Sequence, residues 1–317
     1  MRIRRVTVFG GSGFLGRYVV ERLADIDALV AVAVRDTEGA KDLRVAGQVG
    51  QVAPIGCNIR DPQSVAAALA GSDAVVNLCG ILAESGRQTF QAVHVDGAES
   101  IAKAAAAAGV KHLVHVSAIG ASEASKSKYA RSKAAGEKAV RAAFPGATIL
   151  RPSVVFGPED NFFNLFAGVT RISPMLPLFG GGTTRFQPVY VGDVAAAAIA
   201  ALTDDAARGQ TYELGGPEVC SFRELMQKML DVTRRKRCLV SLPYIVGDIE
   251  ATFLGLLPAP VLTRDMMRQL RIDNVVSPGA KTLADLGVSP TGMDAVLPTY
   301  LARYRRGGRF GLHAQAQ

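Results

Sequence analysis

Tyr129 and Lys133, four residues apart, are the side chains in this sequence best suited to move a proton. On a helix they stand one above the other on the same face. A nearby ammonium lowers a phenol's pKa, which would let Tyr129 exchange a proton with a carbonyl or an alcohol. Ser117, upstream, could hydrogen-bond the same oxygen. A Tyr–Lys pair at this spacing is common and means little by itself. It gains weight from a second signal near the start of the chain.

That signal is Val6-Thr-Val-Phe-Gly10-Gly-Ser-Gly13-Phe-Leu-Gly16. An apolar run ends in glycines and is followed by helical spacing. Glycines let the chain turn sharply off a strand at positive φ, and their bare backbone admits a pyrophosphate. The helix beginning near Phe14 would point its N-terminal N–H groups at that anion. A glycine motif on its own is weak, but this one has its strand before it and its helix after it. The residue closing the next strand then selects the nucleotide. A carboxylate there would bind the ribose hydroxyl; this chain has Arg35, with Asp36 behind it. A guanidinium can pair with a 2′-phosphate, so NADP(H) is the expected cofactor. The alternative is that Arg35 is a surface charge and Asp36 takes the ribose.

These residues need a scaffold, and the pattern supplies one. Strands are expected at Val6–Phe9, Leu29–Val34, Val52–Ile55, Ala74–Cys79, His112–Ser117 and Thr148–Arg151. Helices are expected at Phe14–Ala24, Ser64–Ala70, Ala98–Ala108 and Lys128–Ala143. Alternating βα units with nearly continuous apolar strands imply an α/β fold, a doubly wound parallel sheet of Rossmann type. Residues 1–155 form the nucleotide domain in this reading and 156–317 a smaller C-terminal lobe. Within the lobe, 186–202 reads as a strand and helix returning to the sheet, Phe222–Arg234 as a helix, and Pro174–Gly182 as a long connection.

Composition limits the function. The chain has 317 residues, 49% of them hydrophobic and 20% charged, enough for a sizeable core. No apolar stretch of about 20 residues is free of charge or proline, so no membrane span is expected. Met1-Arg-Ile-Arg-Arg5 resembles a signal n-region, but a strand and glycine loop follow it, so a cytoplasmic protein is expected. Cys57, Cys79, Cys220 and Cys238 lack ligand spacing; they read as buried free thiols, with no metal site. The net charge of +8 is partly local, in Arg234-Arg-Lys-Arg237 and in Arg303, Arg305, Arg306 and Arg309. Such runs are usually solvated faces; an anionic membrane surface or an acidic partner is the sharper alternative. No nucleic-acid module accompanies them.

The glycine loop, Asn77-Leu-Cys-Gly80, Tyr129–Lys133, Arg151-Pro-Ser-Val-Val-Phe-Gly157 and Pro188-Val-Tyr-Val-Gly-Asp193 together resemble the extended or atypical short-chain dehydrogenase/reductases over nearly the whole chain. More specific wording is similar to one branch, the NADPH-binding accessory subunits of respiratory complex I and their bacterial relatives. It includes Tyr129-Ala-Arg-Ser-Lys-Ala-Ala-Gly-Glu-Lys138, Phe156-Gly-Pro-Glu-Asp160 with Phe162 and Asn164, Gln187-Pro-Val-Tyr-Val191 and Leu262-Thr-Arg-Asp265.

The resemblance implies a cofactor site. Gly10, Ser12, Gly13, Phe14, Leu15 and Gly16 would meet the pyrophosphate, and Arg35 the 2′-phosphate. Asn58 and Ile59 would flank the adenine, and Asn77, Leu78, Cys79 and Gly80 would pass under the cofactor. Tyr129 and Lys133 would reach the nicotinamide ribose, and Pro152 and Ser153 the nicotinamide. Tyr129, Lys133 and Ser117 are the catalytic set if there is turnover. Four departures weaken sugar chemistry: Asn58 stands where an acidic residue is usual, His94 where Asn is common and Ala118 at the second of the usual paired serines, and the Ser117-to-Tyr129 interval is short.

Three functions follow in order. The first is a complex I accessory subunit or assembly-type factor with a mainly structural nucleotide, sited at the inner face of the respiratory membrane. The apolar Leu242–Leu262 stretch could rest on a partner or on that membrane, although core packing is its plainer explanation. The second is an active NADP(H)-dependent oxidoreductase of a small carbonyl or alcohol. An RNA-binding nucleotide sensor comes last.

Overall fold

The computed structural model describes residues 3–254 and 262–308, so Arg309 and part of the Leu242–Leu262 stretch lie outside the described residues. The strands, in chain order, are β1 (Arg5–Phe9), β2 (Leu29–Val34), β3 (Val52–Gly56), β4 (Ala74–Asn77), β5 (His112–Val116), β6 (Thr148–Pro152), β7 (Val155–Phe156), β8 (Met175–Phe179), β9 (Arg185–Phe186), β10 (Val189–Tyr190), β11 (Thr211–Leu214), β12 (Cys220–Ser221) and β13 (Cys238–Leu242). The helices are α1 (Phe14–Asp25), α2 (Pro62–Ala68), α3 (Gly97–Ala107), α4 (Lys128–Ala143), α5 (Phe163–Val169), α6 (Val191–Thr203), α7 (Phe222–Thr233), α8 (Tyr244–Leu254), α9 (Arg264–Gln269) and α10 (Met293–Leu301).

The first of two units comprises the described part of Met1–Pro152, with Gly192–Leu214 and Ser277–Ser289. Its seven strands run parallel in the order β11-β6-β5-β4-β1-β2-β3. Apolar sequences such as Val30-Ala-Val-Ala-Val34 bury both faces of the strand, as a sheet covered by helices requires. Chain order reverses between β1 and β4, and a crevice opens there at the carboxyl ends of the strands. The register places Phe9 opposite Asn77, so the glycine loop and the Asn77–Gly80 turn leave the sheet side by side.

The seventh strand, Thr211–Leu214, comes from a segment in which no strand was expected. The 186–202 segment adds none to this sheet: β9 pairs with β12, β10 pairs with β7, and α6 follows. In the second unit (Ser153–Val191, Gly215–Val276 and the described part of Pro290–Gln317), the expected Pro174–Gly182 connection holds β8, which pairs in parallel with β13. Aromatic rings, among them Phe156, Phe163, Phe186 and Phe222, fill the core of this unit. Ser221 and Glu224 close a capping box at the start of α7.

One buried ion network ties α4 to two strands of the first unit. Arg151 donates through Nε and Nη2 to the two carboxylate oxygens of Glu137, at 2.9 and 2.7 Å, and through Nη1 to Glu213 at 3.5 Å. Glu213 also accepts from the Ser277 N–H at 2.8 Å. Removing the shared cation would leave two carboxylates buried together, whereas removing Glu137 leaves Arg151 its second partner. Arg151→Met is therefore expected to cost about 3–5 kcal/mol and Glu137→Gln distinctly less. Urea midpoints of the two variants test this, and equal losses would contradict the shared-cation arrangement.

Candidate functional site

A cleft of about 600 Å³ opens at the carboxyl edge of the first unit's sheet, lined by Gly10, Ser12, Gly13, Arg35, Asn58, Ile59, Leu78, Cys79 and Gly80 among others. The three spaced glycines of its loop do different work. Gly10 carries the positive φ, +78°, and lies against the Leu78–Cys79 backbone. Gly16 is buried under the turn: a Cβ there would fall 2.5 Å from Gly11 Cα, so only glycine lets α1 press onto the loop. Gly13 needs neither freedom. Its φ is −76°, not the positive value expected of the loop's glycines, and a Cβ on it would meet only Gly10 O, at 3.3 Å. That Cβ would instead occupy space at the N-terminus of α1, where no side chain caps the helix. The free N–H groups at that end could donate to an anion. Phe14, Leu15 and Gly16 open α1 and do not line the cleft.

The outer wall contains Arg35 and Asp36. Arg35 is exposed and makes no hydrogen bond or ion pair among the described residues. Asp36 is already engaged: Oδ1 accepts from the Glu38 and Gly39 N–H groups, both at 3.0 Å, closing the loop behind it. Asn58 Oδ1 accepts from Arg60 N at 3.2 Å and from Arg60 Nε at 3.4 Å, and Arg60 Nη1 donates to Arg87 O. Arg60 and Gln88 also line the cleft and had not been anticipated. For Arg60, its place beside Asn58 and Ile59 was the available sign; Gln88 had none.

The floor is a turn held from below. Asn77 Oδ1 accepts from Cys79 N at 3.0 Å, so its amide nitrogen faces His115 Nδ1, also at 3.0 Å. The cysteines were expected to be buried, yet Cys238 is exposed and Cys79 borders the cleft. Burial nevertheless pushes the Cys79 thiol up to about 12.

Tyr129, Lys133 and Ser117 come from α4 and the end of β5. Lys133 Nζ donates to Val116 O at 3.2 Å and lies 6.0 Å from the centre of the Tyr129 ring. A Cβ on Gly80 would stand 3.4 Å from that ammonium, so α4 and the floor turn meet there. The phenol is not lowered as the sequence suggested. Burial raises Tyr129 to about 12, and burial brings Lys133 down to about 8. The Ser117 hydroxyl is buried and lacks a hydrogen-bond partner among the described residues.

His94, which the sequence marks only as a departure from the family's Asn, is a further member of this cluster. It sits in a π-helical turn, Gln91–Asp96, that runs into α3. Ser132 Oγ donates to Tyr129 O at 2.8 Å, so it must accept from His94 Nδ1–H, also at 2.8 Å. His94 Nε2 then accepts from Ile81 N–H at 3.0 Å. Both ring nitrogens are committed, in one neutral tautomer. Burial, followed by the Lys133 charge, takes its pKa down to about 3. The ring stacks on Phe90 and meets Tyr129 edge-on. Pro152 ends β6 and accepts from Ile119 N–H, while the Ser153 hydroxyl is bonded to Asn274 Oδ1 at 2.6 Å.

Residues 6–215 match the NAD dependent epimerase/dehydratase family. The chain is 39% identical over 314 residues to NADH dehydrogenase [ubiquinone] 1 alpha subcomplex subunit 9, mitochondrial, of Arabidopsis thaliana, covering 95% of this chain and 78% of that one. It is 38% identical to the Mus musculus protein of the same name, over 94% of this chain and 80% of that one. A ceramide reductase of Caulobacter vibrioides is 36% identical over 62% of this chain and 60% of its own. Among solved structures, a dTDP-glucose 4,6-dehydratase from Streptomyces venezuelae with NAD bound superposes with a TM-score of 0.72 at 23% identity, over 96% of this chain and 98% of that one, a likeness of fold.

The glycine geometry separates two effects. Gly13→Ala should leave the melting temperature of the nucleotide-free protein nearly unchanged and abolish nucleotide binding. Gly16→Ala should cost about 1–3 kcal/mol in stability, since the backbone has no room to yield. Calorimetry with and without nucleotide distinguishes them, and tight binding by Gly13→Ala would refute the loop's role.

The histidines give a pH signature. His94 and His115 both titrate near 3 in the folded chain, against an ordinary 6.5. Between those values the unfolded chain binds protons that the folded chain refuses. Stability is therefore complete above pH 6.5 and is lost as the pH falls toward 3, by up to about 1.4 kcal/mol per pH unit for each histidine. His94→Gln should make the decline in urea midpoint between pH 6 and pH 4 shallower; an unchanged slope would mean that His94 is not held neutral.

Proposed function

The chain belongs to the NAD dependent epimerase/dehydratase family, and from that premise we propose that it is an NADP(H)-holding accessory subunit or assembly-type factor of respiratory complex I. The observation that carries the role is the match over nearly the whole chain to subunits named for NADH dehydrogenase, at up to 39% identity. In this reading the nucleotide is mainly structural. The protein works on the cytoplasmic, inner face of a respiratory membrane; among the described residues no helix is long and apolar enough to cross one.

The preference for NADP(H) rests on the outer wall. Arg35 is exposed at the cleft with its guanidinium uncommitted, whereas Asp36 Oδ1 closes its own loop. A 2′-phosphate would gain a charge-assisted partner there, whereas a bare ribose hydroxyl would be left with Asp36, whose Oδ1 already accepts two backbone N–H groups. Gly13 leaves room for the pyrophosphate, Asn58 and Ile59 border the adenine end, and Lys133 stands against the floor turn. When bound, the nucleotide supplies hydride chemistry. The residues that would handle the accompanying proton are poorly tuned for it: the Tyr129 phenol lies near 12, and both His94 nitrogens are committed. The Tyr129–Lys133 pair would brace the ribose.

A second reading, an active reductase of a small carbonyl, is favoured by the retained Tyr129, Lys133 and Ser117 and by the ceramide reductase relative. Two measurements decide. Purified protein should bind NADPH more tightly than NADH, and Arg35→Ala should remove at least about tenfold of that preference, the loss of one charged hydrogen bond. Native purification should bring the protein down with NADH dehydrogenase subunits, with no turnover across a carbonyl panel. Reduction of a carbonyl that Tyr129→Phe slows by about 10²-fold or more would establish the reductase instead.

A further inference from the structure

The second unit carries a cationic face that the nucleotide site does not use. It is built from Arg171, the Arg234–Arg237 run, Arg305 and Arg306, and backbone carbonyls knit it together. Arg235 Nη1 and Arg237 Nε both donate to Thr170 O, at 3.5 and 2.9 Å, which sets the run against the turn holding Arg171. Arg235 Nε donates to Tyr304 O at 2.6 Å and Arg305 Nε to Val232 O at 2.8 Å, bringing in the segment after α10. None of these cations forms an ion pair among the described residues. Asp231, the nearest acidic residue along the chain from Arg234, is engaged by Gln227 Nε2. Burial and the charges of Arg237, Arg171 and Arg306 hold Arg235 below its ordinary pKa, so the cations crowd one another.

Exposed apolar residues adjoin the cationic run in sequence and in strand register. Ile172, next to Arg171, is 92% exposed. Met175 is also exposed and lies in register with Cys238, immediately after the cationic run. Such a combination offers a partner both charge and apolar contact.

We propose that this face docks on a bilayer surface rich in anionic phospholipid, with the arginines on lipid phosphates and Ile172 and Met175 entering the headgroup–acyl boundary. The predominance of arginine over lysine suits phosphate, because a guanidinium held through one edge still presents N–H groups in a plane that matches two oxygens. A cluster of this size next to exposed apolar side chains is the pattern that binds acidic leaflets. An acidic protein surface would satisfy the charges and leave Ile172 without a function.

Flotation of the full-length protein with vesicles tests the proposal. Vesicles of phosphatidylcholine with about a third phosphatidylglycerol should bind it at about 0.1 M salt, and phosphatidylcholine alone should bind at least about tenfold more weakly. Arg234→Glu/Lys236→Glu, at exposed positions, should lower binding at least about tenfold. Ile172→Ser, which leaves the charge unchanged, should weaken it several-fold while the melting temperature holds. Arg35→Ala should float like wild type, so that failure of the nucleotide reading and failure of this one remain separate. Equal binding to both vesicles, no binding to the anionic ones, or anionic binding insensitive to Ile172→Ser would overturn the lipid assignment. The last result would point to charge alone and hence to an acidic protein partner.

Discussion

The nucleotide cleft depends on one close approach: the start of α1 presses onto the turn that leaves β1, with no side chain between them. Gly16 makes the contact possible, and Gly10 lets the chain reverse into it. If the helix stood further off, its free N–H groups would not face the crevice between β1 and β4. Sheet order places that crevice, and the bare backbone leaves the uncapped start of α1 facing it. The other walls are then built on neighbouring strand ends: Arg35 after β2, Asn58 after β3 and Asn77 at the end of β4.

A second set of bonds runs from the cleft floor into α4. Ile81 N–H, His94, Ser132 and the Tyr129 carbonyl form one continuous chain of hydrogen bonds. Gly136, one turn beyond Ser132, has no room for a Cβ because His94 O lies against it. The π-helical turn and the helix are thus packed backbone to backbone. Further along α4, Glu137 is bound to Arg151. This helix is anchored at several successive points, and the anchoring fixes Lys133 beside Gly80. Rigidity of this kind suits holding a ligand. It also removes the imidazole as a proton carrier, because a ring bonded at both nitrogens cannot pick up a proton without breaking one bond.

Much of this was legible in the sequence where local pattern and tertiary role coincide. Leu29–Val34 and Lys128–Ala143 match the structure to the residue, since a strand buried from Val30 onward and a long amphipathic helix each leave a clear signal. The second unit was less readable. Met175-Leu-Pro-Leu-Phe179 contains a proline and adjoins three glycines, so it reads as a connection, although pairing with β13 makes it a strand. Thr211–Leu214 is too short to announce itself, and its place beside β6 is set by the sheet. In the site, residue types disclosed the glycine loop, Arg35 and the Tyr129–Lys133 pair. They could not disclose that Asp36 folds back on its own loop, that His94 is locked, or that burial outweighs Lys133 in setting the Tyr129 phenol. Those outcomes depend on desolvation and on which hydrogen-bond partner is nearer, and neither follows from spacing.

Retention of Tyr129 and Lys133 is a poor guide to turnover for the same reason. The pair has two separable physical uses. As a ribose brace it needs only position and hydrogen-bonding capacity, which burial leaves intact. As an acid–base pair it needs a phenol whose proton moves near neutral pH, and burial opposes that. A chain selected to hold a nucleotide keeps the side chains and loses nothing when the phenol stays protonated. The informative features are the surroundings: the unpartnered Ser117 hydroxyl, the committed His94 and the raised phenol. The motif is the same under either use, so its environment is what distinguishes them.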